Sequence, residues 1–212
     1  IVPDNLQIRS NFLFSISSIK FDPSIYLQNA ECFAGKVYER IKTQFQNWPN
    51  SKNQKKLRVG FVSGDFKQHP VGYFLEGLLF HLQKSSIELY AYPSTYDVDH
   101  ITKRIKTLFH SWTPIFNKND KEASQTIYND QIDILFDLSG HTSGNRLSMF
   151  GWRPAPIQVT WLGYFASTGL KEIDYILGDP FVTPKSEAFH FTEEIWQLPE
   201  TYICFTPPER NL

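Results

Sequence analysis

The sequence predicts an α/β domain built around a parallel β-sheet. From residue 57 onward, short apolar segments alternate with longer segments in which apolar residues recur every three to four positions. This alternation is typical of βαβ units, in which a helix connects two parallel strands. Hydrophobic residues make up 41% of the 212 residues and charged residues 20%, which is enough for a core of this kind.

Five segments have the length and apolar content of strands in such a sheet. Leu57–Ser63 reads LRVGFVS, and Ile87–Pro93 reads IELYAYP. The other three are Ile132–Ser139, Ile157–Gly163 and Ile173–Gly178.

Four segments between these strands have helical spacing. Val71–Gln83 places its apolar residues on one face, namely Val71, Phe74, Leu75, Leu78, Leu79 and Leu82. Asp99–Ser111 carries an apolar stripe made of Ile101, Ile105, Leu108 and Phe109. Asp120–Gln131 predicts a shorter helix, and Asn145–Trp152 predicts one or two helical turns.

A helical segment precedes this α/β pattern. Residues 1–47 predict helix with a break at Asp22-Pro23, and Ser24–Phe45 carries apolar residues mostly at helical spacing. The stretch Asn47–Lys56 is polar, contains a proline and ends in basic residues, so it predicts a linker or surface loop. We therefore divide the chain into a helical segment with its linker, residues 1–56, and an α/β lobe, residues 57–212.

The bulk properties exclude several classes of protein. A net charge of -1 and a pI near 6.7 give no reason to expect a nucleic-acid or membrane partner. No stretch of about 18 apolar residues occurs. No basic segment followed by an apolar segment comes after Ile1, so we expect no signal peptide. The two cysteines, Cys32 and Cys204, lie far apart and favour a reducing compartment, so we expect a cytoplasmic protein. The ends of the sequence indicate a piece of a longer chain.

Three loops rich in Gly, Ser and Thr follow the predicted strands. They carry Ser63 to His69, Ser139 to Arg146 and Gly163 to Leu170. In an open parallel sheet, ligands bind beyond the carboxyl ends of the strands, so these loops should lie on one edge. Small residues there allow a ligand to approach backbone amides.

Asp65 and His69 stand in the first of these loops and admit two interpretations. In one, Asp65 caps a turn and Pro70 starts a helix, since proline suits the first helical turn. In the other, the carboxylate is a base or orienter, and the imidazole holds a substrate oxygen at the positive end of the helix.

A metal site of Asp65, His69 and His141 lacks a third close ligand in hydrolase-like spacing, so we predict no metal. Dinucleotide, GxSxG and P-loop patterns are absent.

Three stretches in order resemble a known family. They are LRVGFVSGDFKQHPVGYFLEGLL, DILFDLSGHTSGNRL and RPAPIQVTWLGYFASTGLKEIDYILGD. Together they resemble the catalytic region of the O-GlcNAc transferase and SPINDLY family, especially its bacterial members, from about Leu57 to Pro208. The segment Arg9 to Pro23 also looks like the part that joins the family's tetratricopeptide repeats to the catalytic region.

The resemblance implies a GT-B architecture, in which two Rossmann-like lobes enclose the active site. This chain resembles the N-terminal lobe alone, preceded by its helical segment. The implied partners are the C-terminal lobe and tetratricopeptide repeats of the same parent chain, a nucleotide-sugar donor and a protein acceptor. No cofactor is implied.

The family's site residues are carried over by motif. Asp65 matches an aspartate proposed as the catalytic base, and His69 and Pro70 match residues that line the donor diphosphate and sugar. Val71, which the resemblance also places on the donor side, and Tyr73 differ from the animal enzymes, which have threonine and histidine there. Leu162 and Gly163 match the turn beside the sugar, and Tyr73 and His141 are candidates for the acceptor side. Asp22 to Tyr38 contains no match to a further histidine proposed as base, so the general base stays open.

The resemblance therefore implies part of an inverting glycosyltransferase acting on Ser or Thr hydroxyls of proteins. GlcNAc from UDP-GlcNAc is the first candidate donor, and fucose from GDP-fucose is the alternative, because LSGHTSGNRL is similar to the SPINDLY branch. A non-catalytic protein-binding lobe and a flavodoxin-like binder are further alternatives. We expect an isolated lobe to be inactive, because half of the cleft is missing.

Overall fold

The structure is a computed structural model that describes residues 4–19, 22–48 and 56–205. Of the linker predicted over Asn47–Lys56, residues 49–55 lie outside the described ranges, as do residues 206–212.

Two helices come first, α1 (Leu6–Ser17) and α2 (Pro23–Tyr38). The side chain of Asn5 caps α1 by accepting two backbone N–H groups. Asp22 caps α2, and a proline occupies the first helical turn, where it has no N–H to leave unpaired. The predicted break between the helices is thus confirmed.

The α/β lobe follows. Its elements in chain order are β1 (Leu57–Ser63), α3 (Pro70–Leu82), β2 (Ile87–Pro93), α4 (His100–Lys106), β3 (Ser111–Trp112), α5 (Asp120–Asn129), β4 (Ile134–Asp137), α6 (Leu147–Phe150), β5 (Ile157–Thr160), β6 (Tyr175–Gly178) and β7 (Glu194–Gln197). A 3-10 helix at Lys185–His190 precedes β7. All strand pairs are parallel, in the order β3-β2-β1-β4-β5-β6-β7, which confirms the predicted Rossmann-like sheet.

Helices cover both faces of the sheet, as a parallel sheet requires. On one face, α3 and α4 pack on the strands through Val59, Phe61, Leu75, Leu79, Leu89, Ile101 and Ile105. On the other face the core contains Leu13, Phe33, Val37, Val62, Tyr92, Ile127, Leu135 and Phe150. The helices α1 and α2 contribute to this second core, so the N-terminal segment shares a core with the lobe.

Two predicted helix ends are wrong. The helix expected to reach Phe45 stops at Tyr38, and the Phe45 N–H donates instead to the Trp152 carbonyl at 3.0 Å. The Phe45 ring stacks on Tyr128 with centroids 4.2 Å apart, so contacts with the lobe replace helical hydrogen bonds. The helix α4 ends at Lys106, because the chain then turns to form β3.

The strand predictions were right in position but too long in the second half of the sheet. The elements β4, β5 and β6 have four residues each. β3 and β7 were not predicted. β3 has two residues, too few for a periodic signal, and β7 alternates between exposed and half-buried positions at the edge of the sheet.

Leu75 tests the core under α3. Its side chain is 0% exposed, so we expect Leu75→Ala to lower the free energy of unfolding by about 2–5 kcal/mol through lost burial and a cavity. Phe80 on the same helix is 51% exposed, and Phe80→Ala should cost under about 1 kcal/mol. Urea unfolding of both variants measures the difference, and equal losses would contradict this packing.

Candidate functional site

The predicted site loops lie at the point where the strand order reverses. β1 is flanked by β2 on one side and β4 on the other. The chain adds β2 and β3 on one side of β1 and then crosses over to add β4 to β7 on the other side. In open α/β sheets, this position forms a crevice beyond the carboxyl ends of the strands. The loops after β1, β4 and β5 therefore lie next to one another, because these three strands are neighbours.

The loop after β1 is fixed by its own hydrogen bonds. The Asp65 N–H donates to the Ser63 hydroxyl oxygen at 2.9 Å, which turns the chain sharply after the strand. Further along, Gly72 packs so closely that a Cβ there would lie 2.2 Å from the Lys67 carbonyl oxygen. The backbone from Asp65 to Gly72 is therefore a compact turn with little room to move.

The loop after β2 also belongs to this region, although the sequence analysis did not include it among the site loops. The Ser94 hydroxyl donates to the Gly144 carbonyl at 2.6 Å, and the Thr95 hydroxyl donates to the Gly64 carbonyl at 2.8 Å. These bonds join the loops after β1, β2 and β4. The available signal was the pair of hydroxyl residues directly after the apolar strand.

Asp65 and His69 come together, with the carboxylate Oδ2 3.8 Å from the imidazole Nδ1. The Asp65 side chain is 13% exposed and that of His69 is 41% exposed. Burial raises the pKa of Asp65, and the charge of His69 when it is protonated, together with that of Lys67, opposes this shift. The pair thus combines a carboxylate with increased proton affinity and an accessible imidazole.

His69 is also the N-cap of α3. Its Nδ1 accepts the Val71 N–H at 3.3 Å, so the neutral imidazole carries its proton on Nε2. Pro70 follows at the first helical position, as the capping interpretation predicted. The imidazole of His69, and not the Asp65 carboxylate, therefore caps the helix with one nitrogen, and its other nitrogen stays available as a donor.

The remaining predicted residues of α3 differ in exposure. Pro70 is exposed, Val71 is buried and Tyr73 is half-buried. Val71 as a whole is 3% exposed and its N–H is bonded to His69, so this residue offers almost no surface to a ligand.

Leu162 and Gly163 form a strained turn after β5. Leu162 has a φ of 77°, which a residue with a branched side chain rarely adopts. The Gly163 N–H donates to the Trp161 carbonyl at 3.0 Å, which closes a three-residue turn of the strained left-handed kind. A Cβ on Gly163 would lie 2.0 Å from the Leu138 carbonyl oxygen. Such strain persists only where surrounding packing enforces it, and it is concentrated at functional sites.

A buried carboxylate organises the ends of β4 and β5. Asp137 accepts hydrogen bonds from the N–H groups of Ser139 and Gly140 at 3.1 and 2.8 Å and from the Thr160 hydroxyl at 2.9 Å. Burial raises the pKa of Asp137 to about 6, against the effect of these donors. The residue acts as a structural acid at the strand end.

His141 is enclosed and does not face the crevice. Its side chain is 0% exposed, and it hydrogen-bonds to the Ser10 hydroxyl through Nδ1 at 2.9 Å and to the Thr168 carbonyl through Nε2 at 3.2 Å. Burial lowers the pKa of His141 to about 3. In this structure the imidazole therefore connects α1 with two loops and has no exposed surface.

Two surveys of the described ranges bear on other classes of site. Within them, no group of three His, Cys, Asp or Glu side chains could hold a metal ion. None of the helices in those ranges is long and apolar enough to cross a bilayer.

Comparisons with known proteins agree with the fold. The model of glycosyl transferase family 41 matches residues 18–206. A Petunia hybrida protein described as a probable UDP-N-acetylglucosamine–peptide N-acetylglucosaminyltransferase SPINDLY is 34% identical over 97% of this chain and 22% of its own. A Caenorhabditis elegans UDP-N-acetylglucosamine–peptide N-acetylglucosaminyltransferase is 32% identical over 72% of this chain and 13% of its own.

A solved structure extends the comparison. A mutant of the Thermobaculum terrenum O-GlcNAc transferase superposes with a TM-score of 0.89 at 33% identity, over 98% of this chain and 40% of that one. The chain thus spans less than half of that protein and about a fifth of the SPINDLY relatives.

Gly163 tests the close contact between the loop after β5 and the end of β4. Gly163→Ala should lower the free energy of unfolding by about 1–3 kcal/mol, because the new Cβ would overlap the Leu138 carbonyl. Gly35 on α2 has no atom within 4 Å of an added Cβ, so Gly35→Ala should stabilise by about 0.4–1 kcal/mol. Denaturant titration distinguishes the two, and a neutral Gly163→Ala would rule the contact out.

Because His141 is buried with a lowered pKa, we expect the folded chain to lose stability in mild acid. Its pKa is about 3 in the folded chain and about 6.5 when unfolded, so the unfolded chain binds an extra proton between these values. Stability should therefore decrease by up to about 1.4 kcal/mol for each pH unit below 6.5 on account of this residue.

The variant His141→Gln checks this prediction. It should be less stable at pH 7 but should show a shallower pH dependence between pH 6.5 and 4, because nothing titrates at that position. The matched control is His81→Gln, since His81 is exposed on α3. An unchanged slope in His141→Gln would show that the buried imidazole does not cause the acid sensitivity.

Proposed function

The chain belongs to glycosyl transferase family 41, and we propose that it forms one side of a cleft in which a sugar is transferred to Ser or Thr hydroxyls of proteins. The observation that carries the proposal is the Asp65–His69 pair at the crevice where the strand order reverses. The other side of the cleft comes from the C-terminal lobe of the parent chain, and its tetratricopeptide repeats hold the acceptor protein.

Asp65 serves as the general base in this proposal. It takes the proton of the acceptor hydroxyl while that oxygen attacks C1 of the sugar from the face opposite the diphosphate. The bond between C1 and the diphosphate oxygen breaks, its electron pair leaves with the diphosphate, and the sugar is inverted. The raised pKa of Asp65 favours this role, because a base works best when its proton affinity suits the operating pH.

His69 serves as a donor to the leaving diphosphate or sugar. Its Nδ1 is occupied by the Val71 N–H, so the exposed Nε2–H is the group that faces a substrate oxygen. The N-terminus of α3 adds partial positive charge at the same place. Developing negative charge on the diphosphate is thereby stabilised by groups that are already oriented. Leu162 and Gly163 border the sugar, and Tyr73 lies toward the acceptor.

UDP-GlcNAc is the proposed donor, in line with the names of the relatives. GDP-fucose is the second candidate, favoured by the likeness of LSGHTSGNRL, Leu138 to Leu147, to the SPINDLY branch. The proposal places the reaction in the cytoplasm, which agrees with two cysteines, Cys32 and Cys204, that form no disulfide.

Transfer assays on the full-length parent protein test the proposal. Radiolabelled UDP-GlcNAc and GDP-fucose are supplied separately, and label in protein is counted. We expect label from one donor and a loss of about a hundredfold or more in Asp65→Asn, because the base is removed. Glu194→Gln is the matched control, since Glu194 is an exposed carboxylate on the edge strand β7, at the far side of the sheet from β1.

His69→Asn separates the cap from the chemistry. Asparagine still accepts the Val71 N–H as an N-cap, so α3 should keep its stability, but the imidazole Nε2–H is lost. We expect a clear loss of transfer with an unchanged melting temperature, whereas His100→Gln, an exposed histidine, should change neither. Absence of label from both donors would support a non-catalytic lobe, and full activity in both site variants would refute the assignment of these residues.

A further inference from the structure

The helices α1 and α2 lie directly behind the loops that follow β4 and β5. Gly169 has a φ of 79°, and a Cβ there would lie 2.3 Å from the Ala30 carbonyl oxygen of α2. Gly140 has a φ of 54°, and its Cβ would lie 2.3 Å from the Cβ of Tyr164. The α2 backbone therefore contacts the loop after β5 directly, and the Gly140 backbone packs on the Tyr164 side chain of that loop, so a displacement of one of these segments displaces its neighbour.

A chain of buried hydrogen bonds joins α1 to both loops. The Thr168 carbonyl can only accept, so His141 carries its proton on Nε2 and donates it there at 3.2 Å. His141 Nδ1 therefore accepts from the Ser10 hydroxyl of α1 at 2.9 Å. The Ser10 oxygen in turn accepts from Asn145 Nδ2 at 3.1 Å. Ser10 and His141 are 2% and 0% exposed, so no water competes for these bonds.

A second buried contact joins α2 to the loop after β5. The Tyr26 hydroxyl donates to the Ser167 carbonyl at 2.9 Å and lies 3.0 Å from the Tyr164 hydroxyl. The Tyr164 hydroxyl donates to the Leu13 carbonyl of α1 at 3.3 Å. Tyr164 follows Gly163 directly, so both helices contact the residue next to the strained turn.

The same loop is held from its other side by Glu193. This buried carboxylate accepts hydrogen bonds from the Ser167 hydroxyl at 2.7 Å and from the Thr168 N–H at 2.8 Å. Ser167 and Thr168 are thus fixed between Glu193 and the two helices. Removing a contact on the helix side leaves the loop with fewer anchors opposite Glu193.

We propose that α1 and α2 are positioning elements of the transfer site. Ser10 acts through His141, and Tyr26 acts through Tyr164, to keep the loops after β4 and β5 in the geometry that sets Leu162 and Gly163 against the donor. The inference rests on the proposed function, because it concerns the same site. It makes the N-terminal segment part of that site.

Hydrogen exchange in the full-length parent protein is the first test, and it needs no activity. Ser10→Ala removes the donor to His141, and amides of residues 139–146 and 163–170 should exchange about tenfold faster, as expected for loss of one buried hydrogen bond. Amides of β1 should be unchanged. Ser15→Ala is the matched control, because Ser15 is exposed on the same helix.

Donor kinetics of the same protein are the second test. With UDP-GlcNAc or GDP-fucose as the donor, Ser10→Ala and Tyr26→Phe should each raise KM at least about threefold, since a loosened loop populates the binding geometry less. A merely structural role would leave KM unchanged and lower kcat only in proportion to the folded fraction, which thermal melting measures. Tyr175→Phe is the control for Tyr26, because Tyr175 begins β6 and so lies at the sheet edge opposite the site loops.

The outcomes separate this inference from the proposed function. If the parent transfers sugar and the variants change neither exchange nor KM, the positioning role is refuted and the function stands. Faster exchange with an unchanged KM also refutes it, because the loops would then loosen without consequence for the donor. If the parent transfers neither sugar, the inference fails together with the proposed function. Faster exchange with a raised KM supports it.

Discussion

The buried carboxylate of Asp137 is the interaction on which the site loops depend. It stands at the end of β4, between Val62 of β1 and Thr160 of β5 in the sheet register. A carboxylate without hydrogen bonds would be very costly at this depth, so its donors must be held in place. Holding the Ser139 and Gly140 N–H groups fixes the start of one loop, and holding the Thr160 hydroxyl fixes the strand that leads into the other.

Glycines extend this constraint outward from the strand ends. Gly163 contacts the end of β4, Gly140 contacts Tyr164, and Gly169 contacts α2, each without room for a Cβ. The Gly163 and Gly169 contacts are backbone to backbone, and Gly140 packs directly on the Tyr164 side chain, which leaves few ways for the loops to rearrange. A backbone conformation like that of Leu162 costs of order 1–3 kcal/mol and persists only where the surrounding structure enforces it. The rigid packing of these loops provides that constraint. The loop geometry at the crevice is thus held by the packing contacts of Gly140, Gly163 and Gly169 behind it.

The sequence was sufficient to predict those elements of the fold and site that depend on local residue patterns. The strand Leu57–Ser63 and the start of α3 were predictable because apolar spacing and the His69-Pro70 cap are local signals. The burial of His141 was not predictable from local pattern, since it depends on contact with Ser10, which lies 131 residues earlier. The φ of Leu162 was equally hidden, because packing against β4 imposes it and leucine itself disfavours it.

The two histidines of the loops show what decides whether such a residue can bind a substrate. Both imidazoles are held in the same tautomer, because Nδ1 accepts a hydrogen bond from the Val71 N–H in His69 and from the Ser10 hydroxyl in His141. In His141 the Nε2–H is already used by the Thr168 carbonyl. In His69 it has no partner among the described residues, and the side chain is 41% exposed. His69 and His141 share their residue type and their position at the sheet edge. Whether each can bind a substrate is therefore determined by its Nε2–H, which is bonded in His141 and has no partner among the described residues in His69.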